Sequence, residues 1–420
     1  MIEKYLVKKI TEPVDWKVTV PGSKSMTNRA LLMAVLSAGT VRVEGVLFSD
    51  DSRHFLACLV ALGFTVEIEE EKKCVTVTGC GGRIPRGEAV IDVGSAGTAA
   101  RFLAAMLGFS DGCYEIRCSA QMKRRPMAEL FDLLSGAGAK ITFLEEEGHL
   151  PVRITGCRYA RADKTAGETP RELSLDITKS TQFLSALLLI APMVPEGMKI
   201  HITSEKTDGS YIRITRKMMQ EFGVSVAFDG RDYEVPCRSS YRKETYMVEP
   251  DMSAACYFYA AAAVTGGRAL VRHVHMDNTQ GDLRFLEVLE HMGCTADDTP
   301  EGVLVTGPAD GALRGITVNM NDFSDQALTL AAIAPFADAP VRIEGIGHIR
   351  GQECDRIHAI QTNLTALGIR CEEEETAATI YPGSPHGGSV ETYDDHRVAM
   401  AFSLVGLRTD GIVIENPACC

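Results

Sequence analysis

Apolar residues at helical spacing recur along this chain in runs that close on a glycine and give way to an alternating, strand-like segment. ALGFTVEI closes one run at Gly63, GAGAKITF another at Gly138, EFGVSVAF at Gly223, HMGCTADD at Gly293 and ALGIRCEE at Gly368. These glycines stand 75, 85, 70 and 75 residues apart. A glycine in this place predicts a helix that ends on a left-handed residue and turns into a strand. A near-constant period of this kind marks a repeated structural unit.

The order of elements around each glycine is the same. In the first unit a strand near residues 16–20 leads to a helix from Lys24, a strand at 41–44 to a helix from Asp51, and strands follow at 65–68 and 74–78. The second runs through a strand at 89–92, a helix from Gly97, a strand at 114–118, a helix opening on Pro126, and strands at 140–143 and 152–155. Further units begin near Leu173, Thr245, Ile316 and Val390; the last has a helix from His396 and a strand at 411–415, after which the sequence stops. The N-terminal run 5–10 is expected to supply one of its closing strands. The pattern predicts an α/β fold of six β-α-β-α-β-β units in two domains. Residues 21–247 would form one, and residues 1–20 with 248–420 the other, the crossings falling near Pro21 and near Glu249 and Pro250.

Composition narrows the class. With 45% hydrophobic and 24% charged residues the chain is a folded protein rather than a disordered one. Its longest apolar stretches, 183–194 and 254–264, are too short to span a bilayer. The absence of a basic leader with an apolar core, or of a transit segment, predicts a cytoplasmic location without membrane attachment. A net charge of −13 argues against nucleic-acid binding but leaves anionic small molecules open. Thirteen cysteines with no CxxC pair and no paired Cys/His spacing read as reduced thiols, without a metal site.

Polar and charged residues gather where the first strand of a unit meets its helix. These junctions read PGSKSMTNR at 21–29, GSAGTAAR at 94–101, KSTQ at 179–182, DFSD at 322–325 and DDHR at 394–397. A helix N-terminus presents unpaired N–H groups and the positive end of the helix dipole, so it attracts anions. Ser, Thr and Asp at these places are also ordinary N-caps, but capping leaves Lys24, Arg29, Arg101 and Arg397 beside them unexplained. Gly-Ser-Lys-Ser is not a nucleotide P-loop, because no glycine stands at the required distance before Gly22. Lys123-Arg-Arg-Pro126 and Arg350-Gly-Gln-Glu-Cys-Asp-Arg356 add basic clusters before second helices. Taken singly they read equally as solvated or salt-bridged surface charge; taken together, several arginines suggest a multiply anionic small ligand.

PGSKSMTNRALL, SDDSRHFL, GSAGTAARFLAA, QMKRRPM, KSTQFLSALLL, ECDR, TYDDHRVAM and IVIENP, in this order from Pro21 to Pro417, resemble the 5-enolpyruvylshikimate-3-phosphate synthase family. The resemblance implies the enolpyruvyl transferase fold, an inside-out α/β barrel of two domains with three β-α-β-α-β-β units each. It implies transfer of the enolpyruvyl group of phosphoenolpyruvate to the 5-hydroxyl of shikimate 3-phosphate, without cofactor or metal, by a monomer. Lys24 matches the family lysine that touches both substrates. Ser25, Arg29, Ser180, Thr181, Gln182 and Tyr211 match shikimate-phosphate contacts, and Gly97, Arg101, Arg125, Gln182, Arg356 and Arg397 match positions around phosphoenolpyruvate. Asp325 and Glu353 match the carboxylates assigned to proton transfer, with Asp325 also beside the acceptor. Gln352 stands where the family often has a lysine on the shikimate phosphate. A stretch at 205–210 departs from the family pattern before Tyr211. The family continues beyond the position of Cys420 with a Lys-Thr-Phe-Pro stretch and a final helix, so on this resemblance the sequence is expected to be truncated.

The implied chemistry places a proton on the methylene carbon of phosphoenolpyruvate and removes one from the attacking hydroxyl, which suits two carboxylates acting as acid and base. Asp325 is expected near the hydroxyl and Glu353 near the methylene carbon, with Lys24 and the arginines stabilising oxyanionic charge. Gly97 leaves the small space beside phosphoenolpyruvate that predicts sensitivity to glyphosate. The sister reaction on UDP-N-acetylglucosamine uses a cysteine where this chain has Ala120, with Cys118 two residues away. A homologue that binds substrate without turnover is the remaining alternative.

Overall fold

The glycines that close the apolar runs all adopt positive φ: 92° at Gly63, 98° at Gly138, 92° at Gly223, 104° at Gly293 and 83° at Gly368. Each ends a helix and swings the chain into the next strand, a conformation that a Cβ would penalise. The computed structural model describes residues 4–157, 169–309 and 312–420. Within these the chain forms two compact units, Pro21–Glu249 and Met1–Val20 with Pro250–Cys420.

Among the described residues the chain forms six small sheets, and the four-stranded ones share one connectivity. In the second repeat Glu88–Asp92 pairs parallel with Cys113–Arg117, which pairs antiparallel with Val152–Thr155, which pairs antiparallel with Lys140–Phe143. The third and fifth repeats reproduce this order. The parallel pair needs a crossover helix, and the closing hairpin does not. The last sheet has Gly388–Val390 parallel to Ile412–Glu415, and the N-terminal strand Lys4–Leu6 antiparallel to the latter, in the place of a closing strand.

One expectation is corrected. The strand Asp15–Val18 does not open the first repeat's sheet; it pairs parallel with Arg268–Arg272 in the fourth. Thr245–Met247 in turn pairs parallel with Thr40–Glu44 in the first. The physical reason is the crossing itself: each of these strands precedes the point where the chain leaves its unit, so it pairs with a strand of the unit it is leaving. A second, smaller correction concerns Pro126, which lies ahead of the helix Ala128–Gly136 rather than in its first turn.

The first helix of each repeat is the buried one. Lys24–Leu36, Gly97–Gly108 and Thr181–Ile190 pack on one another in the first unit, and Met252–Thr265, Ala327–Ile333 and His396–Arg408 in the second. Leu31, Leu32, Leu103, Leu187, Leu330 and Phe402 are fully buried there. Each such side chain contributes about 1.5–3 kcal/mol relative to exposure. Because a central helix touches partners on most sides, its apolar residues run all round it. In the helices Lys24–Leu36 and Gly97–Gly108 the polar residues fall in the N-terminal half, and the candidate site residues of each unit lie at or near helix N-termini.

Candidate active site

In the first unit three helix N-termini meet around Arg29, which is fully buried in the helix Lys24–Leu36. Its Nε donates to Thr215 Oγ1 at 2.8 Å, Nη1 to the Ser25 carbonyl at 2.9 Å and Nη2 to Gln182 Oε1 at 2.9 Å. Nη2 also lies 3.3 Å from the Tyr211 carbonyl and 3.4 Å from Ser185 Oγ. The guanidinium carbon sits over the rings of Phe102 and Tyr211 at 5.2 and 5.6 Å. All of these partners are neutral, and burial lowers the Arg29 pKa to about 10 against a smaller opposing effect of Tyr211 and Tyr246. Arg29 therefore ties Ser25, Gln182 and Tyr211, three expected acceptor contacts, to one charge. Asn28 Nδ2 donates to Thr98 Oγ1 at 2.6 Å and fixes the Gly97–Gly108 helix beside it.

Gly97 carries the closest approach in this unit. A Cβ there would lie 2.7 Å from Arg101 Nη1 and 2.7 Å from Arg125 Nη1, so both guanidinium groups rest against the bare backbone. Arg101 Nη1 donates to the Gly97 carbonyl at 3.1 Å, and the Arg101 guanidinium lies 5.4 Å from the centre of the Phe183 ring. Lys24 forms an ion pair with Asp51 at 3.2 Å, a partner for which no role was expected. Ser180 does cap its helix, accepting from the Gln182 N–H at 3.3 Å, with Thr181 the first helical residue. By contrast the helices beginning at Lys24, Gly97 and Ser210 have no side-chain cap at all.

The second unit also centres on a buried arginine, but its partners are carboxylates. Arg356, 1% exposed, donates Nη1 to Asp325 Oδ1 at 2.9 Å, Nη2 to Glu353 Oε2 at 2.8 Å and Nε to Asp395 Oδ2 at 2.8 Å. Nη1 also donates to Gln352 Oε1. Asp325 uses its other oxygen to hold Arg397 Nη2 at 3.1 Å. Burial alone would lower the Arg356 pKa, yet Asp395, Glu353 and Asp325 together hold it above the ordinary arginine value. Aspartates cap three helices here: Asp395 accepts from the Arg397 N–H at 2.8 Å, Asp251 from Ala254 at 3.1 Å and Asp355 from His358 at 3.0 Å.

Thus Lys24, Ser25, Arg29, Gly97, Arg101, Arg125, Ser180, Thr181, Gln182 and Tyr211 lie in one unit, and Asp325, Gln352, Glu353, Arg356 and Arg397 in the other. Asp395 had no expected role, although it is fully buried and holds both the Arg356 side chain and the Arg397 N–H. Its signal in DDHR is a second aspartate directly before a helix, more than a cap alone requires. The fourth junction, Pro250-Asp-Met-Ser253, carries no Lys or Arg to mark it in the sequence, and it contributes Ser253 Oγ at 3.4 Å from Arg397 Nη2. Burial pushes the Cys118 thiol up to about 11, where a reactive cysteine needs a lowered value. All thirteen cysteines are free thiols. Among the described residues no cluster of His, Cys, Asp and Glu could hold a metal ion, and no helix is long and apolar enough to cross a membrane.

The repeated βα connectivity in two units, with buried arginines at helix N-termini, defines a two-unit α/β fold built to hold anions. Comparison with known proteins makes this specific. Residues 8–420 match the sequence profile of EPSP synthase (3-phosphoshikimate 1-carboxyvinyltransferase), and the chain belongs to that family. It is similar to the 3-phosphoshikimate 1-carboxyvinyltransferase of Trichormus variabilis, at 41% identity over 98% of this chain and 94% of that protein. Its counterpart in Methanospirillum hungatei is 35% identical over 97% and 93%. Among solved structures, EPSP synthase from Acinetobacter baumannii superposes with a TM-score of 0.79 at 25% identity, covering 99% of this chain and 94% of that one. The enolpyruvyl transferase NikO from Streptomyces tendae shares the fold, with a TM-score of 0.73 at 17% identity.

Proposed function

We propose that this chain transfers the enolpyruvyl group of phosphoenolpyruvate to the 5-hydroxyl of shikimate 3-phosphate, as a cytoplasmic monomer needing no metal or cofactor. The observation that carries the reading is Arg356, one buried guanidinium holding Asp325 and Glu353 on two of its nitrogens while Arg397 holds the other oxygen of Asp325. That arrangement fixes an acid–base pair beside a cation able to take a phosphate or carboxylate.

Asp325 takes the proton of the 5-hydroxyl as its oxygen attacks C2 of phosphoenolpyruvate, and Glu353 delivers a proton to the methylene carbon. The tetrahedral adduct then loses phosphate by C–O cleavage while a proton leaves the new methyl group, restoring the double bond. Arg356, Arg397, Arg125 and Arg101 bind the phosphoenolpyruvate anion. Lys24, Ser25, Ser180, Thr181, Gln182 and Tyr211 hold shikimate 3-phosphate, kept in place from behind by Arg29. Gln352 offers the acceptor an amide in place of a charge.

Incubation with phosphoenolpyruvate and either shikimate 3-phosphate or UDP-N-acetylglucosamine, followed by phosphate release and product mass, tests the assignment. Release with shikimate 3-phosphate alone is expected. Release with the sugar nucleotide alone, or with neither, contradicts it.

A further inference from the structure

Thr215 lies in the middle of the helix Ser210–Glu221, fully buried, and the reaction above gives it no part. Its Oγ1 donates to the Tyr211 carbonyl at 2.8 Å, one helical turn back. That bond uses the single proton of the hydroxyl, so toward any further neighbour the oxygen can only accept. Arg29 Nε, from the helix Lys24–Leu36, takes that place at 2.8 Å. The hydroxyl is therefore a fixed acceptor for one edge of a buried cation, and its own helix orients it.

A guanidinium is a rigid plane, so holding its Nε decides where both Nη groups point. With Nε on Thr215, Nη1 meets the Ser25 carbonyl and Nη2 meets Gln182 Oε1, each at 2.9 Å. The Tyr211 carbonyl is reached by Thr215 Oγ1 at 2.8 Å, Arg29 Nη2 at 3.3 Å and Ser185 Oγ at 3.4 Å. Among the described residues Thr215 is the single acceptor for Nε, whereas Nη2 has Gln182, Tyr211 and Ser185 within reach. The Phe102 and Tyr211 rings lie against the guanidinium carbon at 5.2 and 5.6 Å, which resists tilting of the plane but not rotation within it. Rotation is left to the hydrogen bonds, and the bond at Nε has no substitute.

We propose that Thr215 is a positioning residue for shikimate 3-phosphate: its hydroxyl sets the rotation of the Arg29 guanidinium, and through it the places of Ser25, Gln182 and Tyr211. The inference rests on the reading of those three residues as acceptor contacts. Thr215 is buried behind Arg29, so it acts through that side chain rather than on the substrate itself. Replacing the hydroxyl by a methyl group of the same shape leaves a buried Nε–H without an acceptor. The guanidinium then turns in its plane to regain one, and Nη2 leaves Gln182. Acceptor binding weakens while the carboxylates of the second unit keep their surroundings.

The test is the steady-state kinetics of the wild type, Thr215→Val, Thr215→Ser, Arg29→Met and the double variant Thr215→Val, Arg29→Met. Thr215→Val is expected to raise KM for shikimate 3-phosphate about tenfold or more, the worth of a hydrogen bond from a charged group. By the same reasoning kcat and KM for phosphoenolpyruvate should change by no more than about threefold, since Gln182 alone among the expected phosphoenolpyruvate contacts is tied to Arg29. Thr215→Ser keeps the hydroxyl and is expected to stay within about twofold of the wild-type KM. With Arg29→Met in place, Thr215→Val should add nothing further, because its effect passes through the guanidinium. If Thr215→Val does not fold, Thr215→Cys replaces it, with a smaller, weaker acceptor and the same expected direction. In a wild type that turns over, an unchanged KM for shikimate 3-phosphate, equal changes in kcat and both KM values, a serine variant as impaired as the valine one, or an undiminished effect without Arg29 overturns this proposal alone. A wild type without turnover on shikimate 3-phosphate overturns it together with the function on which it rests.

Discussion

Two arginines, Arg29 and Arg356, are buried almost completely, one in each unit, and their surroundings are opposite. Arg29 has hydroxyl, amide and carbonyl partners, and burial brings its pKa down to about 10. Arg356 has three carboxylates, and they hold its charge more firmly than water does. The helix N-termini differ in the kind of cap. In the first unit those at Lys24, Gly97 and Ser210 lack a side-chain cap and serines cap others, while in the second aspartates cap those at Met252, Arg356 and His396 and that at Ala327 has none. The first unit thus surrounds its buried guanidinium with neutral groups, which suits holding an anion. The second keeps an excess of carboxylates, which suits moving protons.

Breaking each arginine should expose the difference. Arg356→Met leaves three carboxylates buried around an apolar side chain and is expected to cost about 3–5 kcal/mol in chemical denaturation. Arg29→Met strands only neutral acceptors and should cost about 1–3 kcal/mol. Equal losses would remove the distinction between the two units. A smaller effect is expected from Gly97→Ala, whose Cβ must push aside the guanidinium groups of Arg101 and Arg125. Overpacking of this kind costs about 1–3 kcal/mol, read as a rise of about tenfold in KM for phosphoenolpyruvate and a matching loss of glyphosate inhibition. Shikimate 3-phosphate affinity, measured by calorimetry, should stay within about twofold, since the acceptor contacts lie on other helices.

A further effect concerns stability and pH. Burial raises the folded-state pKa of Asp282, in the turn Gly281–Arg284, above its ordinary value of 3.8 to about 6, so its favourable contribution is full below pH 4 and is lost as pH rises through 6. Melting curves of Asp282→Asn should therefore gain on the wild type between pH 4 and 7, by about 2 kcal/mol. A constant difference across that range would mean that Asp282 stays ionised throughout.

Much of this was legible in the sequence because it is written locally. Gly63, Gly138, Gly223, Gly293 and Gly368 mark helix ends because the left-handed residue must lack a Cβ, and their period marks the repeat. Lys24, Arg101 and Arg397 stand out because a cation near a helix N-terminus works against the helix dipole and needs an anion to explain it. The partners of Asp282 are written nowhere locally: Ser253 is 29 residues before it and Gln326 is 44 after it, brought together only by packing. Residues 15–18 and 245–247 read correctly as strands, but alternation specifies a face and not a neighbour, so their sheets could not be read. Arg29 stands out by its place near a helix N-terminus and, through the family resemblance, matches a shikimate-phosphate contact; that three helices close over it depends on Thr215 and Gln182, far along the chain.

The division of labour between the units is tested most directly by Glu353→Gln, with turnover and shikimate 3-phosphate affinity measured on the same preparation. The amide keeps the shape and can still accept from Arg356, but it cannot carry a proton to carbon. Phosphate release is expected to fall by about 10²–10⁴-fold, while the Kd for shikimate 3-phosphate by calorimetry stays within about threefold of wild type. Turnover at the wild-type rate, or an affinity that falls in step with turnover, would contradict the assignment of proton transfer to Glu353 in the second unit.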